Sequence, residues 1–425
     1  MNNNNYTDEQ KIIIEQSVLS EHHIVVNATA GSGKSHTVNG IIDNFAKYKG
    51  KNMLVTTFGK DIAKDFKSDR VQNVTANNIH SFMYNVWGKK YHGSLSHNFM
   101  SGSDEKHYLK RLGFDETTIE IIKFLKYFAV NPTDSKREND VEFLINTYFD
   151  VLYLKEIPAI KKYFEKLLTN PDYVSFDDLI YLPVVQNIEL PKFNIVLADE
   201  TQDLDLCTKM LLVRLLAKNA KMIFLGDPDQ AIMGFRGADQ KSMSYFRPEN
   251  GFEEYQLSTS FRVPSKIVNF VKKATMLGKN MVAHQQGGLI TESSLAEIRK
   301  GDMVLARNNH TINRLKQYFG SKKMDFICSN EAYGKKPENK ENFVYISTIH
   351  AAKGMESDRV FIVGDDDIIN YKNTETFQFE QDERLRFVAY TRAKKSLHFV
   401  NDSFDKKMNT NTLFNVFKNY KEYEK

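Results

Sequence analysis

An apolar run, Ile24-Val25-Val26, leads into Asn27-Ala28-Thr29-Ala30-Gly31-Ser32-Gly33-Lys34-Ser35, and a helical pattern carrying Val38, Ile41, Ile42 and Phe45 follows. Strand, glycine-rich turn and helix in that order are the setting of a phosphate-binding loop. Glycines let successive backbone N–H groups turn inward on a phosphate without Cβ clashes. The helix N-terminus adds partial positive charge. Lys34 is then placed to reach β- and γ-phosphates, and the Ser35 hydroxyl to ligate Mg²⁺. The usual pattern starts with Gly, and here Ala28 stands in that place.

A chain of 425 residues predicts two or three domains. Its apolar and charged fractions, 41% and 26%, are those of an ordinary globular protein. The net charge of +4 gives no global basic field, so any nucleic-acid site must be a local groove. The two cysteines, Cys207 and Cys328, form no metal-ligand or C-x-x-C pattern. A reducing compartment and no disulfide framework follow. No apolar run approaches a membrane span and no signal peptide is visible, so an intracellular, non-secreted protein is expected, with Asn2 to Asn5 as a disordered tip.

Strand-like runs at Met53 to Thr57, Val71 to Thr75, Phe193 to Ala198 and Met222 to Leu225 alternate with helical patterns, which predicts an α/β fold with a parallel sheet. From about Ser101 to Leu182 the pattern turns helical, with Leu109, Leu112, Ile119, Ile122, Phe124, Leu144, Tyr148, Leu152 and Tyr163 at helical spacing and no strand-like alternation. A second α/β series starts near Ser265, with strands at Met303 to Ala306, Val344 to Ser347, Val360 to Val363 and Leu397 to Val400. The tail, Asn411 to Lys425, reads as helical.

The apolar strand Phe193 to Ala198 ends in Asp199-Glu200-Thr201-Gln202-Asp203. Carboxylates at the C-terminal end of a buried parallel strand are costly unless they serve a site. Asp199 is placed to hold Mg²⁺ through its water shell, and Glu200 to orient and deprotonate an attacking water. A second strand and turn, Phe224 to Gln230, offers Gln230 as a γ-phosphate sensor, because an amide both accepts from water and donates to phosphate.

These residues resemble superfamily 1 helicases of the UvrD/Rep/PcrA type. The resemblance spans most of the chain. It runs through Tyr6 to Gln10, Thr56 to Lys60, Ile79 to Phe82, Ser175 to Leu179, Asp199 to Asp203, Gly226 to Ala238, Ser260 to Arg262, Thr348 to Glu356 and Arg384 to Ala393. It implies two RecA-like domains plus one helical insertion: 1–100 with 183–262 as the first ATP-binding domain, 101–182 as the insertion, and 263–425 as the second.

The resemblance also assigns roles. ATP would be held by Gln10 and by Ala30, Gly31, Ser32, Gly33, Lys34 and Ser35, with Phe261 stacked on the adenine and Glu356 accepting from the ribose. Arg262, at the end of the first domain's range, and Arg392 in the second would project onto the γ-phosphate, where permanently charged guanidinium groups stabilise developing charge. Phe58 and Phe235 match stacking positions on a nucleic-acid track, and stacking is tolerant of sequence. Arg236 would pair a phosphate or bridge to the nucleotide site. His80, Asn309, Thr348 and His350 match backbone-contacting or coupling positions. Core packing for the aromatics and ordinary structural hydrogen bonds for the two histidines are the competing readings.

Two departures from that family stand out. Met233 occupies a position where relatives commonly carry tyrosine. The interval between Arg307-Asn308-Asn309 and Thr348 holds about thirty-odd residues, His310 to Ser347, too few for another packed domain. The large second-domain insertion that such helicases use to gate unwinding is therefore expected to be missing. The implied activity is an ATP- and Mg²⁺-dependent single-stranded DNA translocase and 3′–5′ helicase acting on tailed duplex. A translocase that strips proteins from DNA, and a nucleotide-gated mediator, stay as alternatives. RNA stays open as a track, since stacking and phosphate contacts do not read the sugar.

Glycine on both sides of the Phe235-Arg236 pair argues for an exposed loop and a stacking platform. Phe235→Ala is expected to weaken single-strand binding roughly 5- to 150-fold, the loss of one base–aromatic stack. Oligonucleotide titration together with the melting temperature checks this. Unaltered affinity in a destabilised variant would mark Phe235 as core filler.

Overall fold

The computed structural model describes residues 6–48, 50–57, 73–88, 99–100, 102–234, 237, 243, 246–328, 340–365, 368 and 376–400. The chain forms two compact units. The first comprises Met1–Val26, Ser35–Gly226 and Met233–Tyr255; the second comprises Asn27–Lys34, Asp227–Ile232 and Gln256–Lys425. Both are α/β, each with a six-stranded sheet of the RecA-like kind.

In the first unit the strands run β1 (His23–Ala28), β2 (Met53–Thr57), β3 (Val74–Asn78), β4 (Phe99–Met100), β5 (Val174–Ser175), β6 (Phe193–Ala198), β7 (Leu216–Gly226) and β8 (Phe252–Leu257). Sheet order is β3-β2-β6-β7-β1-β8, with β2 parallel to both β3 and β6, and β6 parallel to β7. β2 is buried at every position, as a central parallel strand must be. The helices are α1 (Asp8–Leu19), α2 (Lys34–Phe45), α3 (Ile79–Met83), α4 (Gly102–Arg111), α5 (Glu116–Tyr127), α6 (Glu138–Tyr148), α7 (Ile157–Thr169), α8 (Asp178–Val185) and α9 (Leu206–Arg214). Val38, Ile41, Ile42 and Phe45 of α2 are fully buried, the apolar face that the spacing predicts. A Cβ on Gly40 would meet Ile14 Cδ1 at 2.4 Å, so glycine there lets α1 and α2 approach closely.

Among the described residues, the stretch between β3 and β6 carries helices α3 to α8 and one pair of strands. β4 and β5 form a two-residue parallel pair, Phe99 with Val174 and Met100 with Ser175. A pair so short has no alternation to read. This helical insertion does not keep a core of its own. Ile119, Ile122, Leu125, Phe164 and Tyr181 pack in one continuous cluster with Leu54, Val196, Leu211 and Phe224 of the sheet and α9. Leu112, Tyr148 and Leu152, which share the helical spacing, are 50%, 45% and 70% exposed, because each falls at or just past a helix end.

The expected strand at Val71 to Thr75 lies instead at Val74–Asn78. It is an edge strand paired only on β2, half exposed, and so free of any need for a continuous apolar run. β7 is longer than the expected Met222 to Leu225. Its first half is only partly buried and joins β6 through a register shift between Phe193 and Ile195.

The second unit continues with β9 (Thr259–Ser260), β10 (Val282–Ala283), β11 (Leu289–Ser293), β12 (Met303–Ala306), β13 (Phe326–Cys328), β14 (Val344–Thr348), β15 (Ser357–Val363) and β16 (Ala393–Val400), and with helices α10 (Ser265–Thr275), α11 (Asn309–Ser321) and α12 (Thr376–Tyr390). Its sheet order is β11-β16-β15-β12-β14-β13, parallel in every pairing. Phe270, Leu305, Ile362, Phe387, Tyr390 and Phe399 centre one core cluster; Val304, Leu315, Phe319 and Phe361 centre another. The described part of the interval after Asn309 holds α11, β13 and the start of β14, all spent on this sheet and its cover. The expected helical tail, Asn411 to Lys425, lies outside the described residues.

A buried ionic knot ties the insertion together. Lys126 on α5 donates to Glu105 on α4 at 2.7 Å and pairs with Asp178 on α8 at 2.8 Å, all three side chains 1% exposed. Asp178 Oδ2 also accepts from the Ser175 N–H and hydroxyl, each at 2.8 Å. Burial alone would lower the Lys126 pKa, but the Asp178 and Glu105 charges outweigh it and hold it well above its ordinary value. Lys126→Met leaves two carboxylates buried without their cation and is expected to cost about 3–5 kcal/mol of stability. Urea unfolding of the variant against the parent measures it.

Candidate functional site

The phosphate loop belongs to the second compact unit. After β1 the Thr29 N–H donates to the Leu257 carbonyl at 2.9 Å. Gly31 and Gly33 then take φ of +73° and +79°, the left-handed region that favours glycine. The Ser260-Phe261-Arg262 segment lies along this turn. Ser260 Oγ donates to the Ala30 carbonyl at 2.7 Å and accepts from the Val263 N–H at 3.1 Å, and the Phe261 N–H donates to the Gly31 carbonyl at 2.9 Å. A Cβ on Gly31 would stand 2.4 Å from Arg262 Cβ, so glycine is required there by conformation and by space. Ser32 is buried, and Lys34 and Ser35 open α2.

The same unit gathers Gln230, Arg262, Glu356 and Arg392. Asp227 caps the single turn Pro228–Gln230, accepting from the Asp229 N–H at 3.0 Å. The Gln230 side chain donates to Asp227 Oδ2 at 2.5 Å and accepts at Oε1 from Arg392 Nη2 at 2.9 Å. Arg392 is 1% exposed. Its guanidinium also donates to the carbonyls of Val388 at 2.8 Å and Met355 at 3.2 Å, and to Thr391 Oγ1 at 3.2 Å. Lys353 Nζ donates to the Gln230 carbonyl at 2.6 Å. Burial, joined by the Asp229 charge, pushes the Asp227 carboxyl up to about 7 against the pull of Lys34. Arg262 Nε donates to Glu356 Oε2 at 2.7 Å. Burial would raise Glu356, but the Arg262 charge and hydrogen bond bring its pKa below the ordinary range. The Phe261 ring is 37% exposed and lies 5.0 Å from the His284 ring.

In the first unit, Asp199 is buried at the end of β6, its N–H on the Thr56 carbonyl at 2.9 Å. Asp199 Oδ1 accepts from the Glu200 N–H at 2.9 Å. Glu200 has φ +55° and ψ +38°, a backbone state that costs a non-glycine residue about 1–3 kcal/mol. Gln202, fully buried, donates to Glu200 Oε2 at 2.6 Å. Gln10 is buried and serves α1, its Oε1 accepting from the Thr7 N–H at 3.0 Å in a capping box. His80 follows the cap Asn78 on α3 and lines a cavity with Lys126, Tyr127, Asp177, Ile180, Asp203, Asp205 and Cys207.

The remaining expected residues are dispersed over the second sheet. Asn309 is exposed at the start of α11, and Thr348 ends β14, its Oγ1 accepting from the Ala351 N–H at 3.4 Å. Burial first, then the Arg307 and Lys353 charges, hold the His350 imidazole down at about 4, so it is neutral at pH 7. Phe58, Phe235 and Arg236 lie outside the described residues. Sequence reasoning missed Ser260, Lys353 and the bond from Gln202 to Glu200. The last had a signal, since Gln202 is in the same five-residue acidic segment. Among the described residues no three His, Cys, Asp or Glu side chains gather as a metal cage, and no helix is long and apolar enough to cross a membrane.

Residues 6–250 match the UvrD/REP helicase N-terminal domain, and residues 330–403 the UvrD-like helicase C-terminal domain. The chain is 22% identical to F-box DNA helicase 1 of Gallus gallus over 502 aligned positions, covering 92% of this chain and 48% of that protein. It is 23% identical to DNA helicase II of Haemophilus influenzae, over 63% of this chain and 41% of that protein. Against ATP-dependent DNA helicase PcrA of Staphylococcus epidermidis the figures are 24%, 59% and 37%. The chain thus spans less than half the length of each of these relatives.

His350 binds a proton near 6.5 when unfolded and near 4 when folded. Stability from this group is therefore present above about pH 6.5 and lost as pH falls toward 4. His350→Asn is expected to shrink the drop in melting temperature between pH 7 and pH 4.5. It does not abolish that drop, because His398, also held at about 4 by burial and by Arg359, shares the window. Thermal melts of parent and variant at the two pH values measure the difference.

Proposed function

Since this chain belongs to the UvrD/REP helicase family, we propose that it is an ATP-hydrolysing motor that moves 3′ to 5′ along single-stranded DNA and opens tailed duplex. The observation that carries the reading is the bonded order Asp227–Gln230–Arg392, with the Lys34 charge acting on Asp227. A phosphate loop joined to an amide and a buried guanidinium suits a group whose negative charge grows as a bond to phosphorus breaks. DNA as the track is the reading that its relatives, DNA helicases all three, support.

Bound MgATP would supply the reactive γ-phosphoryl group. The protein's part follows from its donors. The loop from Ala30 to Ser35 would hold the phosphates through main-chain N–H groups, with Lys34 as the neutralising cation. Ser35 and Asp199 are hard oxygen donors, and Mg²⁺ in such sites keeps several waters and phosphate oxygens, so two protein groups suffice without a three-residue cage. Glu200 would take the proton from the attacking water. Gln230 would orient that water or the γ-phosphate, and Arg262 and Arg392 would stabilise the developing charge. The Phe261 side chain, 37% exposed, would stack on the adenine, with Glu356 accepting from the ribose and Gln10 facing the base. Phe58, Phe235 and Arg236, with His80, Asn309, Thr348 and His350, would carry and couple to the strand.

ATP turnover is expected to rise strongly on adding single-stranded DNA. Removing Arg262 or Arg392 should cut turnover roughly 1,000-fold or more, with a smaller loss of DNA affinity. Lys34→Ala should weaken nucleotide binding and turnover together. Phosphate-release assays with and without oligonucleotide, and strand displacement on 3′-tailed against 5′-tailed duplex, test the reading. Equal turnover with and without oligonucleotide would refute the coupling, and opening of 5′-tailed duplex alone would refute the polarity.

A further inference from the structure

Glu200 is a flexible three-bond side chain, yet a group that takes a proton from water must present one oxygen in a fixed direction. The local structure restrains it. The Glu200 N–H is bonded to Asp199 Oδ1, its carbonyl accepts from the Asp203 N–H at 3.0 Å, and Thr201 Oγ1 holds the Ala198 carbonyl at 2.9 Å. The carboxylate is held in turn by Gln202 Nε2 at 2.6 Å. Gln202 is itself immobilised. It is 0% exposed, and its Oε1 lies so close to Gly226 that a Cβ there would stand 2.5 Å away.

We propose that Gln202 is a positioning residue for Glu200, and that the missing side chain of Gly226 is what lets it take that place. The inference rests on the reading of Glu200 as the group that deprotonates water. Fixing one carboxylate oxygen fixes the direction of the other. A neutral amide suits the task. A lysine or arginine in its place would bring a full positive charge, hold the carboxylate at low pKa and make it a poor base. An amide aligns the group with a far smaller loss of basicity.

Turnover at saturating oligonucleotide, with kcat, KM for ATP and the melting temperature, tests this on Gln202→Met, Gln202→Glu, Gly226→Ala and Glu200→Gln. Gln202→Met keeps the volume and removes the donor. It is expected to lower kcat roughly 10- to 100-fold, the usual effect of losing an orienting partner, with KM little changed. Gly226→Ala, which displaces the amide and deletes no polar atom, should show the same split. Gln202→Glu keeps shape and volume but replaces the donor amide with a group of like charge, so kcat should again fall with KM little changed. A purely structural role would lower the melting temperature and leave the kcat of the folded protein in place. If Gln202→Met does not fold, the kcat–KM split of Gln202→Glu decides. Parental kcat in the Gln202 variants, with Glu200→Gln inactive, would overturn the positioning role and leave the base assignment standing. A fully active Glu200→Gln would overturn both.

Discussion

Two main-chain carbonyls, those of Ala30 and Gly31, hold much of this protein's candidate chemistry in place. They accept from Ser260 Oγ and from the Phe261 N–H. Through them a segment more than two hundred residues away in sequence becomes a neighbour of the phosphate loop. The contact works only because Gly31 has no side chain, since the space a Cβ needs is filled by Arg262. A loop of backbone groups has few ways of its own to hold a shape. Here its shape is fixed by bonds from the Ser260 hydroxyl and the Phe261 N–H to its carbonyls. The exposed face of Phe261 and the Arg262–Glu356 pair inherit their positions from the same two bonds.

The network around Gln230 shows how a polar centre is kept inside a protein. Arg392 is a full charge almost without solvent, and it is tolerable because carbonyls of Val388 and Met355, a hydroxyl and an amide oxygen replace the lost water. Asp227 closes the other end. It accepts from the Asp229 N–H and from the Gln230 amide, while Gln230 uses both ends of that amide. Groups bonded this fully are stiff. Charge introduced beside them is met by dipoles already in place rather than by dipoles that must first turn.

Much of the fold was legible because buried parallel strands must be apolar at nearly every position. β2, β6 and β12 stand where their apolar runs predict, and α2 buries the four residues its spacing names. β3 was misplaced for the opposite reason, since an edge strand needs no such run. The sequence also marks where β6 ends and α2 begins, through Asp199 and the Gly31-Ser32-Gly33 turn. Bonding partners were not legible. Nothing in the neighbourhood of Gln10 separates a nucleotide contact from the capping box it makes with Thr7. Nothing near Lys126 announces Glu105 and Asp178, because the three meet only when three helices pack. Tertiary pairings of this sort depend on packing angles, and local patterns carry no record of those.

The single core shared by the helical insertion and the first sheet has a mechanical meaning. A domain on a hinge can swing without disturbing what it is attached to. Helices whose Ile122, Phe164 and Tyr181 are interleaved with Val196 and Phe224 cannot. Packed interiors are barely compressible and transmit strain. The insertion therefore shares one interior with the sheet whose strand β6 leads straight into Asp199 and Glu200. Insertion and sheet are thus one packed body, and the carboxylates follow directly on one of its strands.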